Sequence, residues 1–370
     1  VISSPLFVEL EARQPRPPSG QCSRIAGPEQ SEPAGGWLVL VGVGCKMADV
    51  DLWLDTLDSA FDNFDEEDAD AAAQQRHDPI LVPRIKYTSI TPEEFEQKYS
   101  ATNTPIILGD AFEPEGPVPL QFDLKFFKET YANELVPLDL NTLSEKVVKL
   151  GDYIEFSDEE MNKGYCRSLH TAEWFPDVNK HLRFPKVMVN PVNYLTQPGQ
   201  PGFEYPEAWS RWFELFISNR DCIGFPFLHQ DMCATHAFSM QVQGIKRFVL
   251  FPPSDSQYLY TFGNTGTRSA VPHAEIVTSS VSATEFPLYY KASLHIADLR
   301  PGDVFFCPSN WWHTTVVKSA EPSVTFGGNY VDNSNKEEFL SKWREYVSVR
   351  NLVASGIASI EHGGKQRRAT

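Results

Sequence analysis

From Phe184 onward the sequence breaks into short aromatic segments separated by frequent turn residues, and a helical period returns only after Asn335. Many short strands between close turns must hide their apolar faces against one another, which points to a barrel or a sandwich. The aromatic content agrees, because 25 Phe, 13 Tyr and 8 Trp suit a pleated surface. With 370 residues and 41 % hydrophobic residues, the chain can build one large core or two ordinary ones.

Helical signals flank this region. "TPEEFEQKY" has Thr91 as N-cap, Pro92 at the first helical position and Glu94 at the third, the pattern of a capping box. "TPIILGD" reads as a short buried strand, and helices are expected near "LKFFKETYANEL", near 141–150 and near 172–183. After Asn335 the stripe Phe339, Leu340, Trp343 and Val347 predicts a helix, followed by a polar tail to residue 370. That helix either packs on its own barrel or closes a homodimer. The main domain is expected over 79–334.

Ahead of it, residues 47–78 are acidic, with Leu52, Trp53, Leu57, Ala60, Phe61 and Phe64 at helical spacing. This is an amphipathic segment, read as a solvated face with a small docking stripe or as a partner-binding helix. Residues 1–46 are rich in Pro, Gly and Ser and are expected to be a disordered leader or a spurious upstream extension.

The net charge of −17 argues against a general nucleic-acid binder and suits a basic peptide partner. The six Cys form no CxxC pair, so neither a zinc cage nor a disulfide framework is expected, and a reducing compartment follows, cytoplasmic or nuclear. The longest apolar run, 36–45, is too short to span a bilayer, so no membrane partner is expected.

One stretch carries chemistry: "FPFLHQDMCATHAFSMQVQGIKRFVLFPP", Phe225 to Pro253. If it is a strand, His229 and Asp231 at i and i+2 aim to the same side. Two imidazoles and a carboxylate make the facial triad of a non-haem Fe(II) site, with open positions left for reactants. His313, in "LRPGDVFFCPSNWWHTTVV", stands at the start of a core strand between a tight Pro301-Gly302-Asp303 turn and an apolar run. His236 competes, but seven residues from His229 strand alternation turns it to the opposite face. Taken alone, the pair is a weak signal of a metal site, set against a hydrogen-bonded core histidine or a surface pair. Lys246 follows a Gly turn beside Phe248, Val249, Leu250 and Phe251. A lysine against an apolar wall needs an anion; the other reading makes it a solvent-facing hairpin residue.

"HQD" at 229–231, "GIKRFVLFPP" at 244–253, "LRPGDVFFCPSNWWH" at 299–313 and "GGNY" at 327–330 together resemble the Jumonji-C oxygenases, a cupin-like family. The resemblance implies a mainly β fold with flanking helices, a double-stranded β-helix (jelly-roll) barrel, and the use of Fe(II), 2-oxoglutarate and O2. It implies that His229, Asp231 and His313 ligate iron, that Lys246 meets the distal carboxylate of 2-oxoglutarate, and that Asn329 lies near the chelating end. Tyr165, in "GYCRSL", resembles a tyrosine that joins the lysine. Two positions depart from the pattern: Pro226 stands where many members have Thr or Ser, and Ser239 is the nearest candidate for an Asn on the strand before the Gly turn. Trp311 and Trp312 either wall the cavity or pack the core.

The implied activity is hydroxylation coupled to conversion of 2-oxoglutarate to succinate and CO2. With no reader module beside the domain, a side chain of a protein is the first substrate class. "YCRSL", "FPKV" and "PLYYKA" are similar to the enzyme that hydroxylates wybutosine-type tRNA bases, which makes tRNA the second. A histone lysine or arginine demethylase is the third, and a scaffold without activity is the non-enzymatic alternative.

Overall fold

The structure, a computed structural model, describes residues 78–112, 116–140, 145–188, 213–222, 224–225, 227–262 and 267–345. The leader, nearly all of the acidic segment and the polar tail lie outside the described residues.

Fifteen strands follow one another among these residues: β1 (Ile80–Leu81), β2 (Arg84–Lys86), β3 (Ile106–Gly109), β4 (Leu135–Asp139), β5 (Glu145–Lys149), β6 (Tyr165–His170), β7 (Glu214–Ser218), β8 (His236–Gln243), β9 (Lys246–Phe251), β10 (Thr261–Phe262), β11 (Arg268–Ser269), β12 (His295–Leu299), β13 (Val304–Cys307), β14 (Trp312–Val317) and β15 (Ser323–Tyr330). The large sheet has the order β2-β3-β13-β8-β15-β7-β6-β4-β5, and the small one β1-β12-β9-β14. From β12 to β15 the chain alternates between sheets, small, large, small, large, and β8 to β9 is another crossing. That alternation winds the double-stranded β-helix.

The crossing from β8 to β9 depends on Gly244. Its φ is +71°, and a Cβ there would sit 2.5 Å from the Pro322 carbonyl oxygen. Only glycine adopts that backbone at no steric cost.

Strand alternation sorts the side chains. Phe238, Met240 and Val242 of β8 and Phe326 of β15 face outward, where helix Leu124–Tyr131 covers them. Phe127 of that helix meets Phe326 at 6.4 Å and Phe175 at 5.3 Å, all three fully buried. Burying each ring contributes roughly 1.5–3 kcal/mol. Between the sheets a separate core joins Ile107, Phe305 and Cys307 of the large sheet to Phe248, Leu250, Ala297 and Leu299 of the small one. The segment from 253 to 292 packs Leu259, Val271, Ile276 and Tyr289 over the outer face of the small sheet, against Val249, Phe251 and Trp312.

The capping box forms as expected, with Thr91 Oγ1 accepting from the Glu94 N–H and Glu94 Oε2 accepting from the Thr91 N–H. The helix expected near 141–150 is not found over the described residues 145–149. Residues 145–149 are strand β5, because β-branched Val147 and Val148 find a ready antiparallel partner in β4, with Val136 opposite Val148. A helix begins only at Leu150 and ends at Ile154. The expected helix at 172–183 is two short ones, Thr171–Trp174 and Pro176–Asn179, since Pro176 cannot continue the first and starts the second. Residues 336–345 are helical, with Phe339 buried and stacked on Trp343 at 5.9 Å.

Candidate metal centre

β14 carries His313 on the inner face of the small sheet, opposite Leu250 of β9. Along its other side runs the segment holding His229. The two histidines exchange backbone hydrogen bonds, His313 N–H to His229 O at 2.8 Å and His229 N–H to His313 O at 3.1 Å. This bridge puts both rings on one face.

The expectation of a regular strand through His229 and Asp231 is not met. His229 makes an isolated bridge, and Asp231 opens a 3-10 turn, Met232–Ala234. Cys233 and Ala234 take positive φ, 57° and 53°, which costs non-glycine residues roughly 1–2 kcal/mol each. The turn still delivers the carboxylate. Asp231 Oδ1 lies 3.7 Å from His229 Nε2 and 3.7 Å from His313 Nε2, and all three ligand atoms fall within 4.8 Å of one another.

Hydrogen bonds set the ring orientation. His229 Nδ1 donates to the Phe227 carbonyl at 3.2 Å and His313 Nδ1 to the Trp311 carbonyl at 3.1 Å. A carbonyl only accepts, so each proton sits on Nδ1 and each Nε2 lone pair points at the centre. Burial, then the neighbouring His313, holds the His229 pKa well below the ordinary imidazole range, so the ring is neutral and able to ligate. Phe225 stacks on it at 4.1 Å. Asn329 on β15 donates to Asp231 Oδ2 at 2.9 Å and to Thr235 Oγ1 at 3.1 Å, which leaves Oδ1 for the centre. Two imidazoles and a carboxylate whose ligand atoms converge in this way suit Fe(II).

At the far end of the same face is Lys246. β9 turns Lys246, Phe248 and Leu250 inward, and about 13 Å of strand separates Lys246 from Leu250. Lys246 is 3 % exposed and donates to the Tyr165 hydroxyl at 2.8 Å, with the Phe216 ring 5.0 Å away. Burial lowers its pKa to about 7. Tyr165, on β6, has its own pKa pushed up by burial, and Thr315 of β14 hydrogen-bonds its hydroxyl.

The other sequence candidates separate cleanly. Ser239 of β8 lies opposite Gly327 and Phe305, on the same inner face as Asn329. His236 faces outward, where Nδ1 accepts the Ser309 N–H at 2.9 Å and Nε2 meets Ser334 Oγ at 3.0 Å. Trp312 is fully buried on the outside of the small sheet and donates to Ser256 Oγ, whereas Trp311 joins the core between the sheets. His273 belongs to a helix and His295 to β12, and neither joins the ligand cluster. Thr235, Arg167 and Arg268 were not found from sequence. No motif marks them, because strand register across distant segments brings them in.

The whole stretch from residue 38 to 335 matches the model of the cupin-like domain. The HSPB1-associated protein 1 homolog of Danio rerio is 33 % identical over 190 residues, 51 % of this chain and 38 % of that protein. Jumonji C domain-containing protein 5 of Drosophila melanogaster is 23 % identical over 256 residues, 66 % of this chain and 58 % of that one. The tRNA wybutosine-synthesizing protein 5 of Homo sapiens is 39 % identical over 117 residues, 30 % of this chain and 34 % of that one. The chain spans less than two thirds of the length of each of these relatives.

Proposed function

This chain belongs to the cupin-like, Jumonji-C domain family, and from that premise we propose that it is an Fe(II)- and 2-oxoglutarate-dependent dioxygenase that hydroxylates a side chain of a protein substrate. The observation that carries the reading is the pairing of two features on one barrel face: the His229–Asp231–His313 cluster at one end and the buried Lys246–Tyr165 pair at the other. A metal alone would explain the first. A dicarboxylate, chelating at one end and ion-paired at the other, explains both.

His229, Asp231 and His313 would hold the iron, and Lys246 with Tyr165 would hold the distal carboxylate. When bound, the iron and 2-oxoglutarate supply the chemistry R–H + O2 + 2-oxoglutarate → R–OH + succinate + CO2. The protein's own residues orient it. Asn329 fixes the Asp231 carboxylate, and the Phe227 and Trp311 carbonyls fix the two rings. Phe225, stacked on His229, keeps water off that ring face.

A protein substrate is supported by the relatives named for HSPB1 association and by a net charge of −17 that disfavours a polyanion. The tRNA reading draws on the wybutosine-synthesizing relative. Purified protein with Fe(II) is expected to convert 2-oxoglutarate to succinate, slowly without substrate and faster with it. Incubation with cell-extract protein and, separately, total tRNA distinguishes the two classes by a 16 Da mass gain on peptide or nucleoside. Succinate formation unchanged in His229→Ala would remove the assignment.

A further inference from the structure

The proposed iron ligands lie on two segments far apart in sequence, residues 229–231 and strand β14. The backbone bridge between His229 and His313 joins them at one point. A second link starts from the residue between the first two ligands. Gln230 Nε2 donates to the Asn310 carbonyl at 2.6 Å, and Asn310 stands three residues before His313. The Gln230 N–H donates to the Thr267 carbonyl at 3.0 Å, so its backbone is held as well.

Asn310 is in turn fixed from the C-terminal side of the chain. Its φ is +62°, a left-handed conformation that asparagine enters more readily than most residues. Both ends of its side-chain amide are engaged by the helix of residues 336–345. Nδ2 donates to Glu338 Oε1 and Oε2, each at 3.0 Å, and Oδ1 accepts from Lys342 Nζ at 3.1 Å. Glu338 and Lys342 stand one turn apart and pair at 2.9 Å. The start of the same helix reaches the other segment. Asn335, 3 % exposed, donates from Nδ2 to the Ala234 carbonyl at 2.8 Å. Ala234 belongs to the turn that delivers Asp231, where Cys233 and Ala234 hold positive φ.

One helix therefore grips the segment that carries His229 and Asp231 and also the turn that leads into His313. Buried Phe339 and Asn335 are enough to seat it. The Glu338–Lys342 pair is half in water, so it adds little to stability. What it adds is a fixed Asn310 carbonyl for Gln230. Such fixing matters at a metal centre, because ligands must be held to within about 0.5 Å of their working geometry.

We propose that Gln230 and Asn310, held by Glu338 and Lys342, are positioning residues of the metal centre, and that the C-terminal helix is a clamp setting the spacing between the His229–Asp231 segment and His313. The assignment rests on the metal reading above. None of the four is a ligand. They act through the backbone that carries the ligands.

The test uses the full chain with Co(II) as a spectroscopic probe and Fe(II) in equilibrium dialysis. Glu338→Ala and Gln230→Leu are each expected to weaken both metals about tenfold, the lower end of what losing a residue behind a ligand costs. Each should also change the Co(II) ligand-field spectrum, which reports coordination geometry. The thermal midpoint of the metal-free protein should stay within about 2 °C, since an exposed contact is lost. Glu338→Gln keeps an acceptor for Asn310 and should recover most of the affinity. Because Glu338 acts through Asn310 on Gln230, the double variant should bind little more weakly than either single one. Losses that multiply in the double variant would overturn the clamp. So would a lowered metal-free midpoint with metal affinity and spectrum unchanged, which is the mark of a helix anchor and nothing more. No Co(II) or Fe(II) bound by the unsubstituted protein would fail the metal reading and the clamp with it, whereas binding that both single variants leave untouched would fail the clamp alone.

Discussion

Lys246 reaches from the small sheet to donate to the hydroxyl of Tyr165 on the large sheet at 2.8 Å, and no described carboxylate forms an ion pair with it. Burial brings its pKa to about 7, so near neutral pH the amine is only partly charged. A bound dicarboxylate favours the charged form and raises that pKa. The sign follows: binding takes up a proton wherever the free amine is neutral. Affinity for 2-oxoglutarate should therefore be flat below pH 7 and weaken above it by up to about tenfold per pH unit. Calorimetric titration in buffers of different ionisation enthalpy reads the proton uptake directly.

The same lysine separates binding from stability. A methionine fills similar space and removes a buried, desolvated charge, and such replacements are commonly neutral or stabilising. Lys246→Met should therefore unfold at the same temperature or higher, while the 2-oxoglutarate concentration for half-maximal succinate formation rises on the order of a hundredfold, because truncating one partner of a buried charge pair costs about 2–5 kcal/mol. Loss of thermal stability in this variant would mean that the lysine is a structural group.

The metal prediction distinguishes ligands from their supports. Asp231→Ala or His313→Ala should reduce bound iron to background in metal analysis. Asn329→Ala removes no ligand but takes away the donor to Asp231 Oδ2 and Thr235 Oγ1. It should keep the site and weaken iron by about 10–100-fold, the usual effect of losing a residue that orients a ligand. His236→Ala should leave the iron content as it was, since His236 faces away from the triad.

The barrel was legible because its signals are local. Short aromatic segments and turn residues such as Gly244 announce strands and crossings wherever they fall. His236 does face away from the triad, as alternation suggested, but the strand assumed between His229 and His236 is broken by the turn Met232–Ala234, so the count from His229 is not what sets its direction. The stretch around His229 was harder. Alternation suggested that His229 and Asp231 point together, and they do, but through an irregular turn at Cys233 and Ala234 that no period encodes. Near 141–150 a helical reading failed because β4, a partner outside the window, claimed Val148. Arg167 precedes the triad in sequence and Arg268 falls between Asp231 and His313, and only the Phe225 stack and the bridge to His229 bring them to it.

Gly244 supports the crossing from β8 to β9 on which the placement of Lys246 depends. A Cβ would collide with the Pro322 carbonyl at 2.5 Å, and the φ of +71° is itself unfavourable for alanine. Gly244→Ala should destabilise the fold by about 1–3 kcal/mol, read as a lowered thermal midpoint. Because the strain falls next to β9, affinity for 2-oxoglutarate should drop with it, while bound iron is retained.

Asp332 anchors the start of the C-terminal helix from beneath. Its carboxylate is 3 % exposed, accepts from Ser100 Oγ and from Ser334 Oγ, and lies 3.4 Å from His236 Nε2. The Nδ1 of that ring accepts the Ser309 N–H, so the ring proton is on Nε2 and is offered to Ser334 and Asp332. Burial alone would raise the Asp332 pKa, but the His236 and serine hydrogen bonds outweigh it and hold the group well below the usual carboxylate range. A depressed folded pKa means that the unfolded chain takes up the proton first. The stabilisation is therefore complete above the unfolded value of about 4 and is lost as pH falls below it. Asp332→Ala removes the buried acceptor shared by Ser100, Ser334 and His236 and should cost about 3 kcal/mol at pH 7. The discriminating measurement is denaturant unfolding at pH 7 and pH 3. The gap between the unsubstituted protein and Asp332→Ala should narrow at pH 3, and a gap of constant size would place the effect in packing instead of in the carboxylate's charge.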